Sequence, residues 1–168
     1  MKKSWAAIFL VIFSVAFLYT ADRPSDYEDN WHQWRGPYMT GFVPNGTPPL
    51  EWSETRNVKW KIEIPGRGHA TPIIWKDRIF IQTAVPLEKE VAPQGEGGAQ
   101  PRRGMPSRKT AAKHEYLVLC LNRADGKILW QKAVNEEVPQ EATHDLGSWA
   151  SGSPVTDGEH VYAYFGSR

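Results

Sequence analysis

The chain has 168 residues with 20 basic and 19 acidic side chains, a formal charge of +1, so no net field recruits nucleic acid or an anionic membrane. Its single cysteine, Cys120, excludes an internal disulfide and any cysteine-built metal cluster. Thirteen prolines, fourteen glycines and eight tryptophans, with hardly any helical periodicity, point to short strands joined by many turns.

Lys2 and Lys3 precede an apolar run from Trp5 to Tyr19 broken only by Ser14. This is the pattern of a secretory signal over residues 1–21, and it is short of the roughly 20 apolar residues of a membrane span. Sec-dependent export to the periplasm or cell exterior is expected. The alternative is an uncleaved anchor in the inner membrane, because Tyr19-Thr20-Ala21 is a poor processing site. Without the leader the counts become 18 basic and 19 acidic residues.

Residues 22–56 read as an extended linker and wrapping segment. Trp31-His32-Gln33-Trp34-Arg35-Gly36-Pro37 is followed by Gly41, Pro44, Gly46, Pro48 and Pro49, too many breakers for regular structure. Asn45-Gly46-Thr47 matches a glycosylation sequon that is common by chance.

Strands are expected from Asn57 onward. Val58, Trp60, Ile62 and Ile64 alternate with polar residues, giving one buried face, until Pro65-Gly66 ends the run. A hairpin follows, from Thr71-Pro72-Ile73-Ile74 through a turn at Trp75-Lys76-Asp77 to a strand at Arg78–Ala84. Residues 85–115 form an insertion rich in Pro and Gly, with Arg102, Arg103, Arg108, Lys109 and Lys113 clustered; a solvated loop is the plain reading and an anion contact the sharper one. Leu117–Leu121 is an unbroken apolar strand with Cys120 inside it as packing, covered on both faces. Asn122–Gly126 is a tight turn whose Asp125-Gly126 pair tolerates positive φ. Ile128, Trp130 and Val134 then place one face of a second strand, with the tryptophan on its buried side.

The chain repeats itself. Ser153-Pro154-Val155 through Ala163 aligns without gaps on Thr71-Pro72-Ile73 through Ile81 at an offset of 82, and Lys127–Trp130 copies Asn57–Trp60 at an offset of 70. Subtracting about 30 inserted residues leaves roughly 50, the size of a four-stranded propeller blade.

The stretch Leu119-Cys120-Leu121-Asn122-Arg123-Ala124-Asp125-Gly126-Lys127-Ile128-Leu129-Trp130 resembles the repeat of the pyrroloquinoline-quinone-type propeller proteins, with Asn122 and Asp125 standing where that repeat has Asp and Thr. Trp34-Arg35-Gly36-Pro37, Leu50-Glu51-Trp52-Ser53, Pro65–His69 and Ser151–Gly158 are similar to segments of exported bacterial quinone-binding-like propellers. The resemblance implies an all-β propeller of four-stranded antiparallel blades over residues 57–168. It would be incomplete in this chain: a lone Trp60 strand, one full blade and half of the next, as in an N-terminal fragment of a longer protein. It also implies that Trp60 and Trp130 dock against neighbouring blades, with Gly126, Pro72 and Pro154 as the other structural positions of the repeat.

Two functions compete. One is a non-catalytic binding or scaffold module that presents a propeller face to a protein, peptide or carbohydrate. The other is a quinoprotein dehydrogenase, whose quinone and calcium would need acids and amides from further blades. No catalytic residue, metal ligand or cofactor is evident in this sequence itself. The five histidines lack zinc spacing and read as loop residues, Ser148, Ser151 and Ser153 lack a nucleophile elbow, and no Gly-Lys-Ser phosphate loop occurs. The connections leading into the two hairpins remain as candidate ligand sites: Arg67 with His69, and His144 with Trp149. Hydrogen bonds that merely fix those loops are the plainer reading.

Overall fold

The computed structural model describes residues 27–89, 107–108 and 112–166. The leader expected over 1–21, residues 22–26, most of the 85–115 insertion and the last two residues lie outside the described part. Beyond one short 3₁₀ turn, Tyr27–Asp29, the regular structure is antiparallel β. The strands are β1 (Ile73–Trp75), β2 (Arg78–Pro86), β3 (Ser107–Arg108), β4 (His114–Asn122), β5 (Ile128–Glu137), β6 (Thr143–His144), β7 (Val155–Thr156) and β8 (Val161–Tyr162). They form a four-stranded sheet in the order β1-β2-β4-β5 and two small pairs, β3-β6 and β7-β8.

β4 is the centre of the sheet, and its uninterrupted apolar sequence follows from burial on both faces. Leu117, Leu119 and Leu121 point to one side, where Ile62, Ile64, Ile79, Ile81 and Val85 pack on them. On the other side Tyr116 and Val118 meet Ala84, Trp149, Ala150 and Phe165, while Cys120 meets Ile73, Trp75 and Phe80. Each leucine so buried is worth about 1.5–3 kcal/mol relative to exposure. Cys120 is fully buried and burial pushes its thiol pKa up, so it behaves as a small hydrophobe.

The turn expected at Asn122–Gly126 is present. Asn122 accepts from the Ala124 N–H through its side chain and from the Gly126 N–H through its carbonyl, Asp125 Oδ1 accepts from Lys127 N, and Gly126 has φ +75°. A Cβ on Gly126 would lie 2.6 Å from the Trp60 ring and 2.9 Å from Ile62 Cγ2, so glycine is required both by φ and by close approach.

Two expectations are corrected. Residues 58–64 belong to no strand and Asn57 before them is a bend at φ +60°, so the lone Trp60 strand does not exist as a ladder element and the first described strand of the sheet begins at Ile73. The alternation reports burial from Trp60 onward, where Trp60, Ile62 and Ile64 are half-buried against the sheet while Lys61 and Glu63 face water, but it fails at Val58, which is exposed. The segment is held by side-chain packing and by the Trp60 indole donating to Arg123 O at 3.0 Å, instead of by backbone pairing.

The second correction concerns β5. It is an edge strand, and Ile128, Trp130 and Val134 are 41%, 40% and 46% exposed where a buried face was expected. Register shifts break the even spacing: Leu121 pairs with Ile128 but Cys120 with Trp130, and Leu117 pairs with Ala133 but Tyr116 with Asn135. Leu129 and Val134 are therefore extra residues in bulges, and Ile128 and Trp130 project to opposite faces.

The 82-residue repeat is reproduced in the register of two ladder pairs. Ile73 pairs with Phe80 and Ile74 with Ile79 in the first hairpin; Val155 pairs with Tyr162 and Thr156 with Val161 in the second. The expected proline stands at each entrance, Pro72 exposed and Pro154 buried. Equivalent positions also touch each other. Thr71 N donates to Ser153 Oγ at 3.0 Å and Gln82 Nε2 donates to Tyr164 O at 2.8 Å. The wrapping segment stitches both copies with consecutive carbonyls, Trp31 O accepting from Ile74 N and His32 O from Thr156 N.

Candidate functional site

The connections into the hairpins converge where β2 and β4 begin to leave the core. Pro65–Gly68 runs back along β2: Arg67 and Ala84 exchange both backbone hydrogen bonds, at 2.9 and 3.1 Å, and Thr83 Oγ1 donates to Pro65 O. Gly66 has φ +74°, and a Cβ there would fall 2.4 Å from Ala84 O, so the glycine lets the loop reach this close to the strand.

Two adjoining recesses result. The smaller, about 190 Å³, is lined by Gly66, Arg67, Ala84, Pro86, His114, Ser148 and Trp149. The larger, about 340 Å³, shares Gly66 and Arg67 and adds His69, Pro72, Gln82 and Thr83. Of the four residues expected from the sequence, the structure thus brings Arg67 beside Trp149 in one recess and beside His69 in the other.

Their roles differ. Arg67 is exposed and sends Nη2 to Asp145 O at 3.0 Å, leaving further guanidinium donors toward solvent. His69 is exposed, with its backbone N–H donating to Ala150 O. Trp149 is 6% exposed: its indole donates to Glu141 O at 2.9 Å, its ring meets His114 edge-on with centroids 4.7 Å apart, and it packs with Tyr116 and Phe165. It is a core residue that shows one edge to the recess. His144 lies outside both recesses. Its Nδ1 accepts from Leu146 N, and Gly147 N donates to its carbonyl, so it organises the turn that supplies Asp145 O to Arg67.

Sequence reasoning missed His114, Ser148 and Gln82. The expectation that the histidines are loop residues fails at His114, which opens β4 and is 1% exposed; His32 does lie in a loop, though a fully buried one. His114 opens β4 and its Nδ1 lies 2.9 Å from Ala112 O; its position directly before an apolar strand was the available signal. The serines behave as expected of small residues ahead of a strand: Ser148 and Ser151 bond each other at 3.2 Å, and Ser153 Oγ is used by Thr71. Gln82 is fully buried, and its Oε1 has no hydrogen-bond partner among the described residues.

The insertion is tied to this region. β3 pairs with β6, Ser107 opposite His144 and Arg108 opposite Thr143, so the backbone of the basic segment runs beside the turn that holds Arg67. The donors lining the two recesses are a guanidinium, imidazoles, hydroxyls and an amide. None is the anionic oxygen that calcium prefers, and among the described residues no group of three or more His, Cys, Asp or Glu could hold a metal. The residues lining these two recesses therefore do not fit a calcium-quinone site by themselves.

No helix of the described residues is long and apolar enough to cross a membrane. No family model, curated protein or solved structure matches the chain.

Proposed function

We propose that the protein is an exported repeat protein of propeller type, related to the quinone-type repeats, and that it works as a non-catalytic binding module. The observation that carries this reading is the contact between positions 82 residues apart. Thr71 with Ser153 and Gln82 with Tyr164 join the two hairpins at equivalent positions, which supports repeats related by rotation about a common axis. The tryptophan expected to dock one repeat on another supports it, since Trp60 lies on the Gly126 turn.

On this reading the Arg67 recesses sit at the junction of two repeats and offer donors beside an aromatic edge, suited to a polar group of a peptide or carbohydrate. The test is a binding screen of the full chain against peptide and glycan arrays, with Arg67→Ala as control. A ligand lost on that substitution is expected. The dehydrogenase alternative is checked separately by titrating the full chain with pyrroloquinoline quinone and calcium. A saturable change in the quinone spectrum would replace the binding reading with an enzymatic one.

A further inference from the structure

The wrapping segment builds a second cleft, remote in sequence from Arg67 and His144. It encloses about 460 Å³, within the range of small-ligand sites. One wall is the 3₁₀ turn with Glu28 and Asp29; the other is the loop that carries Tyr38 and Phe42; Trp31 lies between them.

The loop is fixed by its own bonds. Gly41 N donates to Arg35 O at 2.8 Å, Arg35 Nη2 donates to Thr40 O at 3.0 Å, and the Trp31 ring lies against Gly36. Trp31 is in turn anchored to β1 through its carbonyl. Yet the rings on this fixed loop are not consumed by packing: Phe42 is 63% exposed and Tyr38 46%. A rigid loop that spends two aromatic side chains on a cleft rather than on the core presents them to something else.

The charges select the chemistry. Tyr38 Oη donates to Glu28 Oε2 at 3.0 Å, a bond that raises the phenol's pKa, and the carboxylates of Glu28 and Asp29 both line the cleft. Asp29 makes no ion pair among the described residues. The one basic side chain lining the cleft, Arg123, is directed to Lys76 O at 3.3 Å, and its own N–H is fixed by Asp77 O. Anions are disfavoured by the carboxylates, and the rings add nothing for a hard metal ion. A cation with an apolar body uses both, through ring faces and through charge.

We infer that the cleft between the Tyr27–Asp29 turn and the Tyr38–Phe42 loop binds a small organic ammonium ion, with Asp29 supplying charge and Tyr38, Phe42 and Trp31 supplying ring surface.

Calorimetry of the full chain with choline, and with its neutral isostere in which carbon replaces the ammonium nitrogen, tests this. Choline is expected to bind at least about ten-fold more tightly than the isostere. Asp29→Asn and Phe42→Ala, both at exposed positions, are each expected to weaken choline about five-fold while far-UV circular dichroism is unchanged. Calcium should leave choline binding unaltered. Equal affinity for choline and isostere, no binding of either, full affinity in both variants, or displacement by calcium would each overturn the assignment. The comparison of choline with its isostere uses the unaltered chain, so it decides the matter even if a variant fails to fold.

Discussion

Asn57–Trp60 and Lys127–Trp130 carry the same local pattern and meet opposite fates. Trp60 covers the Gly126 turn and donates its indole N–H to Arg123 O, although its own backbone joins no sheet. Trp130 belongs to a ten-residue strand paired along one side with β4, yet its ring touches only the edge of the core, 6.0 Å from Phe80, on a cleft of about 420 Å³ whose far wall is the second hairpin. Pairing and burial are thus separable. For these two copies, the ring that rests on a turn is the better covered one, whatever its strand does.

The largest expected effect breaks the covered copy from below. Gly126→Val places a branched side chain at φ +75° and drives its Cβ into the Trp60 ring and Ile62. Left-handed strain and overpacking together should cost about 3 kcal/mol or more. Urea denaturation would show this as a lower midpoint at unchanged slope. A midpoint within error of the parent would mean that the Trp60 segment does not rest on the turn.

The comparison is sharpened by truncating the two rings themselves. Trp60→Ala removes half-buried packing and one hydrogen bond, for about 2 kcal/mol; Trp130→Ala removes a ring that is 40% exposed and should cost less than about 1 kcal/mol. Equal losses in the same denaturation assay would erase the distinction.

How much of this was legible in the sequence follows from what alternation and glycine can encode. The apolar run of β4, the Gly126 turn and both hairpins were visible because period, turn residues and the 82-residue offset are local or self-referential signals. The status of residues 57–64 was not, because alternation records which side chains are covered and is silent on whether the backbone is paired. The β5 bulges at Leu129 and Val134 were invisible for a related reason: one extra residue on a strand changes no composition and inverts every later face. At the candidate site, Arg67 and Trp149 were found through the offset that makes their places equivalent. His114 and Ser148 reach the same recess through contacts that no local pattern announces, and the β3–β6 pairing joins two segments that read as irregular.

The smallest expected effect separates the two hairpins, which share a register but close differently. The first turn is held from outside, by Asn30 Oδ1 accepting from Lys76 N, with Lys76 at φ +55°. The second is held from within: Asp157 accepts from the backbone of His160 and Glu159 and from Tyr162 Oη at 3.0 Å, and those bonds hold its carboxyl well below the usual carboxylate range. A carboxyl whose pKa is depressed on folding contributes stability that is complete above its unfolded value, near 4, and is lost as pH falls through the folded value. Acidification below about pH 4 should therefore loosen the Asp157 hairpin, whereas the bond that holds the Lys76 turn is accepted by the amide oxygen of Asn30, which has no proton to gain in this range. Because Asp157 is exposed and its bonds compete with water, the change is local, and backbone amide chemical shifts of Glu159 and His160 are the suitable readout. Asp157→Asn should remove most of that acid-dependent change while leaving the shift of Lys76 unaltered. If the amides of both turns move together with acid, the two hairpins titrate as one unit and the distinction between them fails.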